Sequence, residues 1–71
     1  MVKKTVVHGF PLVYEEKAKA GMEYLRDDLD AAEARVFFDG ARARGSAPFE
    51  DDDDRQFTLV CQRGAFTLLK R

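Results

Sequence analysis

The sequence predicts an α+β domain in which two helices pack on one face of a three-stranded antiparallel β-meander. Three observations indicate this class: an apolar stripe at helical spacing over residues 14–29, a capping box at Asp30 that opens a second helical pattern, and period-two alternation of apolar residues from Ser46 onward. A chain of 71 residues is long enough for one domain, which we expect to span residues 1–71.

The first element is predicted to be a strand or an extended arm from Val2 to His8. Residues 5–7 are all β-branched and favour extended backbone, and Gly9 and Pro11 bound the run. An arm of this kind can pair with a sheet or lie across one of its faces.

A helix is predicted from about Pro11 to Asp28. Pro11 suits the first turn of a helix, and Glu15 and Glu16 favour the positive end of the helix dipole. At about 100° per residue, a single stripe collects the apolar side chains; they are Tyr14, Ala18, Gly21, Met22, Leu25 and Leu29. The glycine in this stripe lets another part of the chain approach closely, and it costs about 1 kcal/mol in helix propensity.

A second helix is predicted from Asp30 to Arg44. Asp30 and Glu33 have the spacing of a capping box, and Gly45 supplies a left-handed residue after the last turn. The inward positions recur at i, i+3, i+4 and i+7; they are Ala34, Phe37, Phe38 and Ala41.

A β-hairpin over residues 35–44 is the alternative to this helix. Asp39-Gly40 suits a type I′ turn, and the residues from Val36 to Phe38 favour strands. Three adjacent apolar residues break the alternation of a strand, so we prefer the helix, and the hairpin stays open.

A three-stranded meander is predicted from Ser46 to Arg71. Residues 50–55 form the first connection, Arg63-Gly64 forms a tight second turn, and Pro48 places the first strand at an edge of the sheet. Alternation assigns one set of side chains to the helix-covered face: Ala47, Phe49, Phe57, Leu59, Cys61, Phe66 and Leu68.

The opposite face of this sheet is the predicted binding surface. Thr58, Val60, Thr67 and Leu69 point to it, and they are more apolar than a solvated sheet surface needs. We therefore expect the N-terminal arm or a second copy of the chain to cover this face.

The acidic run from Glu50 to Asp54 is predicted to be a solvated turn. A carboxylate run can hold a hard cation, but this one lacks the glycine and the distal glutamate of an EF-hand loop. We expect no metal site, and docking of a basic partner on Asp51 to Asp54 is a hypothesis that stays open.

Arginines of the C-terminal half support an alternative function, which is nucleic-acid binding. The residues concerned are Arg42, Arg44, Arg55, Arg63 and Arg71, and they alternate along the chain with phenylalanines. The same phenylalanines are needed for the core, and 12 basic side chains against 13 acidic ones give a net charge of -1. We rank nucleic-acid binding second.

Catalysis is not expected, nor is a cofactor. His8 is the single histidine and Cys61 the single cysteine, so the sequence offers neither a Cys/His zinc site nor an intramolecular disulfide. Cys61 is predicted to be an inert core residue. A free thiol fits the cytoplasm, and no apolar run approaches the roughly 18 residues of a membrane helix.

The leading functional prediction is a non-enzymatic module, regulatory or accessory, that binds a protein partner through a sheet face or a strand edge. Self-association as a homodimer belongs to this prediction, because a small domain without a disulfide or a metal is often stabilised by oligomerisation.

Overall fold

The computed structural model of the chain describes residues 2–71 as a mixed five-stranded sheet with helices on one face. The elements are β1 Val2–Val7, β2 Phe10–Glu15, a helical segment α1 over residues 16–28, α2 Ala31–Arg44, β3 Ser46–Glu50, β4 Gln56–Gln62 and β5 Ala65–Lys70. The strand order is β1-β2-β5-β4-β3, and only β2 and β5 are parallel among the paired strands. The α+β class is confirmed, but the sheet is larger than the predicted meander.

The predicted start of the first helix at Pro11 is wrong, because residues 10–15 form strand β2. This strand pairs with β1 in a hairpin whose two turn residues, His8 and Gly9, have φ angles of 50° and 86°. Two successive positive φ angles are typical of a type I′ turn, which joins strands directly. Pro11 has no backbone N–H to donate, and strand β5 does not require one there, because the pairing of β2 with β5 begins at Leu12.

Segment α1 is an irregular helix that begins five residues later than predicted. It consists of a 3-10 turn at Glu16–Ala18, an α-helical stretch at Lys19–Glu23 and a π-helical stretch at Tyr24–Asp28. Its apolar stripe faces the sheet as predicted. The Phe57 ring lies directly over Gly21, where an added Cβ would come within 2.7 Å of two ring carbons.

The histidine of the first turn binds the end of this helical segment. The Nε2 of His8 lies 3.0 Å from the carbonyl oxygen of Leu25 and 3.1 Å from that of Leu29. Because a carbonyl oxygen only accepts, Nε2 carries the proton and donates to both. His8 therefore donates to carbonyl oxygens at the π-helical end of α1, where the helix itself leaves backbone acceptors without a partner.

Helix α2 confirms the helical prediction for residues 31–44 and excludes the hairpin alternative. The Asp30 carboxylate accepts from the Glu33 amide at 2.8 Å, and the Glu33 carboxylate accepts from the Asp30 amide at 3.1 Å. Gly45 ends the helix with a φ of 93° and donates its amide to the Ala41 carbonyl. Both termini thus have the caps that the sequence indicates.

The three C-terminal strands form the predicted antiparallel meander. The turn between β4 and β5 is Arg63-Gly64, with φ angles of 54° and 79°. Strand β3 is an edge of the sheet, as Pro48 predicted. In the complete sheet β5 takes the centre, because its second edge pairs with β2.

The core lies between the helices and one face of the sheet. Phe10 stacks on Phe38 with ring centroids 4.4 Å apart, and Phe66 packs edge-on against both rings. At a second site, Phe49 packs against Phe37 and Phe57. The shortest dimension of the molecule is 19 Å, which agrees with two layers, one of sheet and one of helices.

Candidate functional site

The candidate site is the face of the sheet that lies away from the helices, which we call the open face. Both helices pack on the other face, and successive side chains of a strand point to opposite faces. A row of five paired side chains, one from each strand, crosses the open face: Lys4, Val13, Thr67, Val60 and Ser46. The surface is therefore continuous over the whole sheet.

The four residues predicted to bind a partner lie together at the centre of the open face. Val60 is opposite Thr67 in the ladder, and Thr58 is opposite Leu69. These two pairs are neighbours on β4 and β5, so they form one block. The placement agrees with the prediction, while binding itself stays a prediction.

The hairpin of β1 and β2 extends the apolar surface beyond the predicted block. Val2 and Val6 on β1 are 62% and 60% exposed, and Val13 on β2 is half-buried. The predicted helix from Pro11 includes most of β2, so the sequence does not indicate this part of the face. The alternation of Pro11 and Val13 with buried neighbours in β2 is the signal that could have found it.

The open face has a shallow depression as well as exposed side chains. It has a volume of about 260 Å³ and lies where Pro11 and Val13 of β2 meet Ala65 of β5. Ala65 has a small side chain, and Gly64 beside it has none, so little fills the space next to Pro11 and Val13. An apolar side chain from a partner could enter this depression.

Charged side chains lie mainly toward the edges of the open face. Within the strands of residues 2–71, three of them point to this face: Lys4 on edge strand β1, Glu50 on edge strand β3, and Glu15 at the end of β2. Most of the open face therefore carries uncharged side chains, and exposed valines share edge strand β1 with Lys4.

The N-terminal segment does not cover the open face. Val2–Val7 extends the sheet sideways as strand β1, because each of its residues pairs with β2. Of the two covers expected from the sequence, the arm is therefore excluded. Within residues 2–71 the helices are also excluded, since both pack on the other face.

The acidic turn exposes Asp52 to Asp54, in agreement with the predicted solvated turn, but it is built around one buried carboxylate. Asp51 is only 8% exposed, and its carboxylate accepts from the amides of Asp53 and Arg55 and from the Arg55 guanidinium at 2.7 Å. Burial raises the pKa of Asp51, but these hydrogen bonds outweigh it, so the net shift is downward. Asp51 thus orders the turn.

An acidic groove of about 290 Å³ separates this turn from the end of α1. Asp28 and Tyr24 line its helix side, and Asp52 lines its turn side. Partial desolvation and the neighbouring Asp52 carboxylate both raise the pKa of Asp28 and of Tyr24. Across residues 2–71, however, no group of three or more side chains is arranged to hold a metal ion.

The five arginines of the nucleic-acid alternative fall into separate places. Arg55 precedes β4 and pairs with Asp51 and Asp53, whereas Arg63 follows β4, roughly 25 Å away along the strand. Arg71 lies beside the start of β4, where its amide donates to the Gln56 carbonyl. The other two lie in the last turn of α2, and the guanidinium of Arg42 is 5.6 Å from the centre of the Phe66 ring. The arrangement divides these charges between two ends of the sheet.

The two residues considered for catalysis have structural surroundings. His8 binds the end of α1, and Cys61 is half-buried against the core, paired with Phe66. The low reactivity expected of the Cys61 thiol stays a prediction. Within residues 2–71, no helix is both long enough and apolar enough to cross a membrane.

Comparison of the chain with protein families, curated proteins and solved structures finds no match.

Proposed function

We propose that this protein is a non-enzymatic interaction module that binds a protein partner through the open face of its sheet. The observation that carries the proposal is a continuous five-stranded face that lies away from both helices and exposes Val2, Val6 and Leu69. Antiparallel sheets commonly keep one face in water, but that face is then mainly polar. The exposed valines and leucine of this one are better explained by a partner.

The strand edges are less suited to binding than the face. Edge strand β3 carries Pro48, which has no backbone N–H to donate, and edge strand β1 carries Lys3 and Lys4. Proline and lysine on edge strands hinder the addition of another strand. Of the two binding modes considered from the sequence, the face is therefore the one we propose.

The proposed module works in the cytoplasm, where a reducing environment keeps the Cys61 thiol free. A regulatory or accessory role fits a domain whose one developed surface is a docking face, because such a domain acts by occupying or positioning its partner. No observation favours the nucleic-acid alternative over this proposal, since its arginines are dispersed and Arg55 is paired with acids.

Site-specific photo-crosslinking in cells that make the protein tests the proposal. A benzophenone amino acid in place of Leu69 probes the centre of the open face, and the same replacement of Val36 is the matched control. Val36 is an apolar residue of α2 that is 68% exposed on the helix side of the molecule. We expect a protein adduct from position 69 and none from position 36.

Two results would contradict the proposal. One is the absence of any protein adduct from position 69. The other is an equal yield of adduct from both positions, which would indicate non-specific crosslinking. A parallel titration with short mixed DNA and RNA addresses the alternative function. If the NMR signals of the Arg42, Arg44 and Arg63 amides shift at low salt and return at high salt, nucleic-acid binding is favoured over the proposed function.

A further inference from the structure

We infer that the partner of the open face is a second copy of the same chain, bound face to face about a two-fold axis. This inference rests on the proposed function, because it names the protein that the open face binds. It is carried by the area of the face, by its combination of exposed apolar side chains with a depression, and by the exclusion of a cover from within residues 2–71.

The area of the open face is close to the lower limit of a specific interface. Five strands spaced about 4.8 Å apart and about 20 Å long give a flat area of roughly 480 Å² per copy, or roughly 960 Å² for a pair. A pleated surface has a larger accessible area than its flat projection, so the pair reaches the ~1,000 Å² of a specific interface. One copy would bury about a tenth of its 4538 Å² surface.

The open face also has the features of a self-complementary surface. It combines exposed apolar side chains at Val6 and Leu69 with the depression beside Ala65. In a two-fold interface the same patch meets itself, so protruding side chains and a depression on one patch can fill each other. Two such sheets would pack about 10 Å apart and form a closed sandwich with helices outside.

The size of the chain gives an independent reason for pairing. A domain of 71 residues buries only about 60% of the surface of its unfolded chain. Its single cysteine excludes an intramolecular disulfide as a source of further stability. In a face-to-face dimer each sheet would be covered on both sides, by its own helices on one face and by the sheet of the second copy on the other.

Light scattering of the purified protein is the first test. At high micromolar concentration we expect a mass of twice 8.1 kDa, which falls to 8.1 kDa on dilution. Val6→Glu should weaken the association about a hundredfold, because it buries an unpaired charge at the interface. Val36→Glu makes the same chemical change at a similarly exposed valine on the helix side, and should leave the mass unchanged.

Failure of this inference is distinguishable from failure of the proposed function. The adduct from position 69 identifies the partner by mass spectrometry. Peptides of this chain alone, at twice its mass, support the homodimer. A monomer in light scattering together with an adduct to a different protein overturns the homodimer and retains the proposed function, whereas a monomer without any adduct overturns both.

Discussion

At the scale of single residues, two glycines within helices have opposite roles. An added Cβ at Gly21 would lie 2.7 Å from the Phe57 ring, which is fixed in the core. At Gly40 the nearest atom, also 2.7 Å away, is the end of the flexible Arg44 side chain, which can move. The first glycine is therefore required by packing, and the second is not.

We expect Gly21→Ala to destabilise the protein and Gly40→Ala to stabilise it. Alanine adds about 1 kcal/mol of helix propensity at each site. At Gly21, overpacking of about 1–3 kcal/mol opposes this gain and should leave a net loss of about 1 kcal/mol. Urea unfolding of both variants measures the difference, and a stabilised Gly21→Ala would show that Phe57 has room to shift.

Asp51 is the residue whose ionisation should matter most for stability. Hydrogen bonds from Asp53 and Arg55 outweigh the effect of burial and hold the pKa of Asp51 below its ordinary value of 3.8. A carboxyl whose pKa is lowered by folding contributes stability above its ordinary pKa. That contribution is lost as the pH falls through the lowered value.

Asp51→Asn should therefore cost about 1–2 kcal/mol at pH 7, because the charged hydrogen bonds are lost. The difference from the wild type should shrink as the pH falls below 3.8. Unfolding curves between pH 7 and pH 2 measure this, with Asp39→Asn as the control. Asp39 forms an exposed pair with Arg35, worth at most about 0.5 kcal/mol. A constant Asp51→Asn deficit at every pH would refute the role of its charge.

At the scale of elements, the helix α2 depends on its N-terminal cap. Asp30 and Glu33 satisfy each other's amides, and the apolar residues at i, i+3 and i+4 then meet the sheet. These signals lie within a few residues of one another, which is why the helix could be predicted from the sequence. The same holds for β4, Arg63-Gly64 and β5, whose pairing needs only a two-residue turn.

We expect Asp30→Ala to lower the free energy of unfolding by about 1 kcal/mol, because the Glu33 amide loses its acceptor. Asp30→Ser should retain most of the stability, since a serine oxygen can also accept. Chemical unfolding followed by circular dichroism compares the two variants. Equal losses from alanine and serine would mean that the cap bond is not what stabilises this end of α2.

The first helix shows where local signals fail. Tyr14 lies on the same helical stripe as Ala18 and Met22, yet Tyr14 belongs to strand β2 and only the latter two to α1. Strand β2 is stabilised by pairs on both sides, with β1 nearby in the sequence and with β5 more than fifty residues later. A parallel pair of this separation has no local signature, and it outweighs the helix propensity of the segment.

At the scale of the whole molecule, the two-layer architecture leaves one face of the sheet without a cover from within residues 2–71. If two copies bind through that face, unfolding is coupled to dissociation, and the midpoint depends on protein concentration. A monomeric domain has no such dependence. The oligomeric state therefore has a direct thermodynamic signature.

We expect the thermal midpoint of the wild type to rise with concentration, by several degrees over a hundredfold range. The reason is that a hundredfold rise in concentration supplies about 2.7 kcal/mol of linkage per dimer, or about 1.4 kcal/mol per chain, and each 1 kcal/mol shifts a domain of this size by roughly 4–8 °C. Differential scanning fluorimetry measures the effect. Val36→Glu should retain the concentration dependence and Val6→Glu should lose it; a wild-type midpoint that is independent of concentration would contradict the dimer.

Several features of this protein follow from short-range signals alone: the α+β class, the capped helix α2, the meander and the central block of the open face. Their signals are caps, turns and periodicities that act over a few residues. The hairpin of β1 and β2, the parallel pairing with β5 and the full extent of the open face were decided by tertiary structure. A sheet face is exposed only if no other segment of the chain packs on it. Which face this is depends on how distant segments pack together, so it is decided by the tertiary structure.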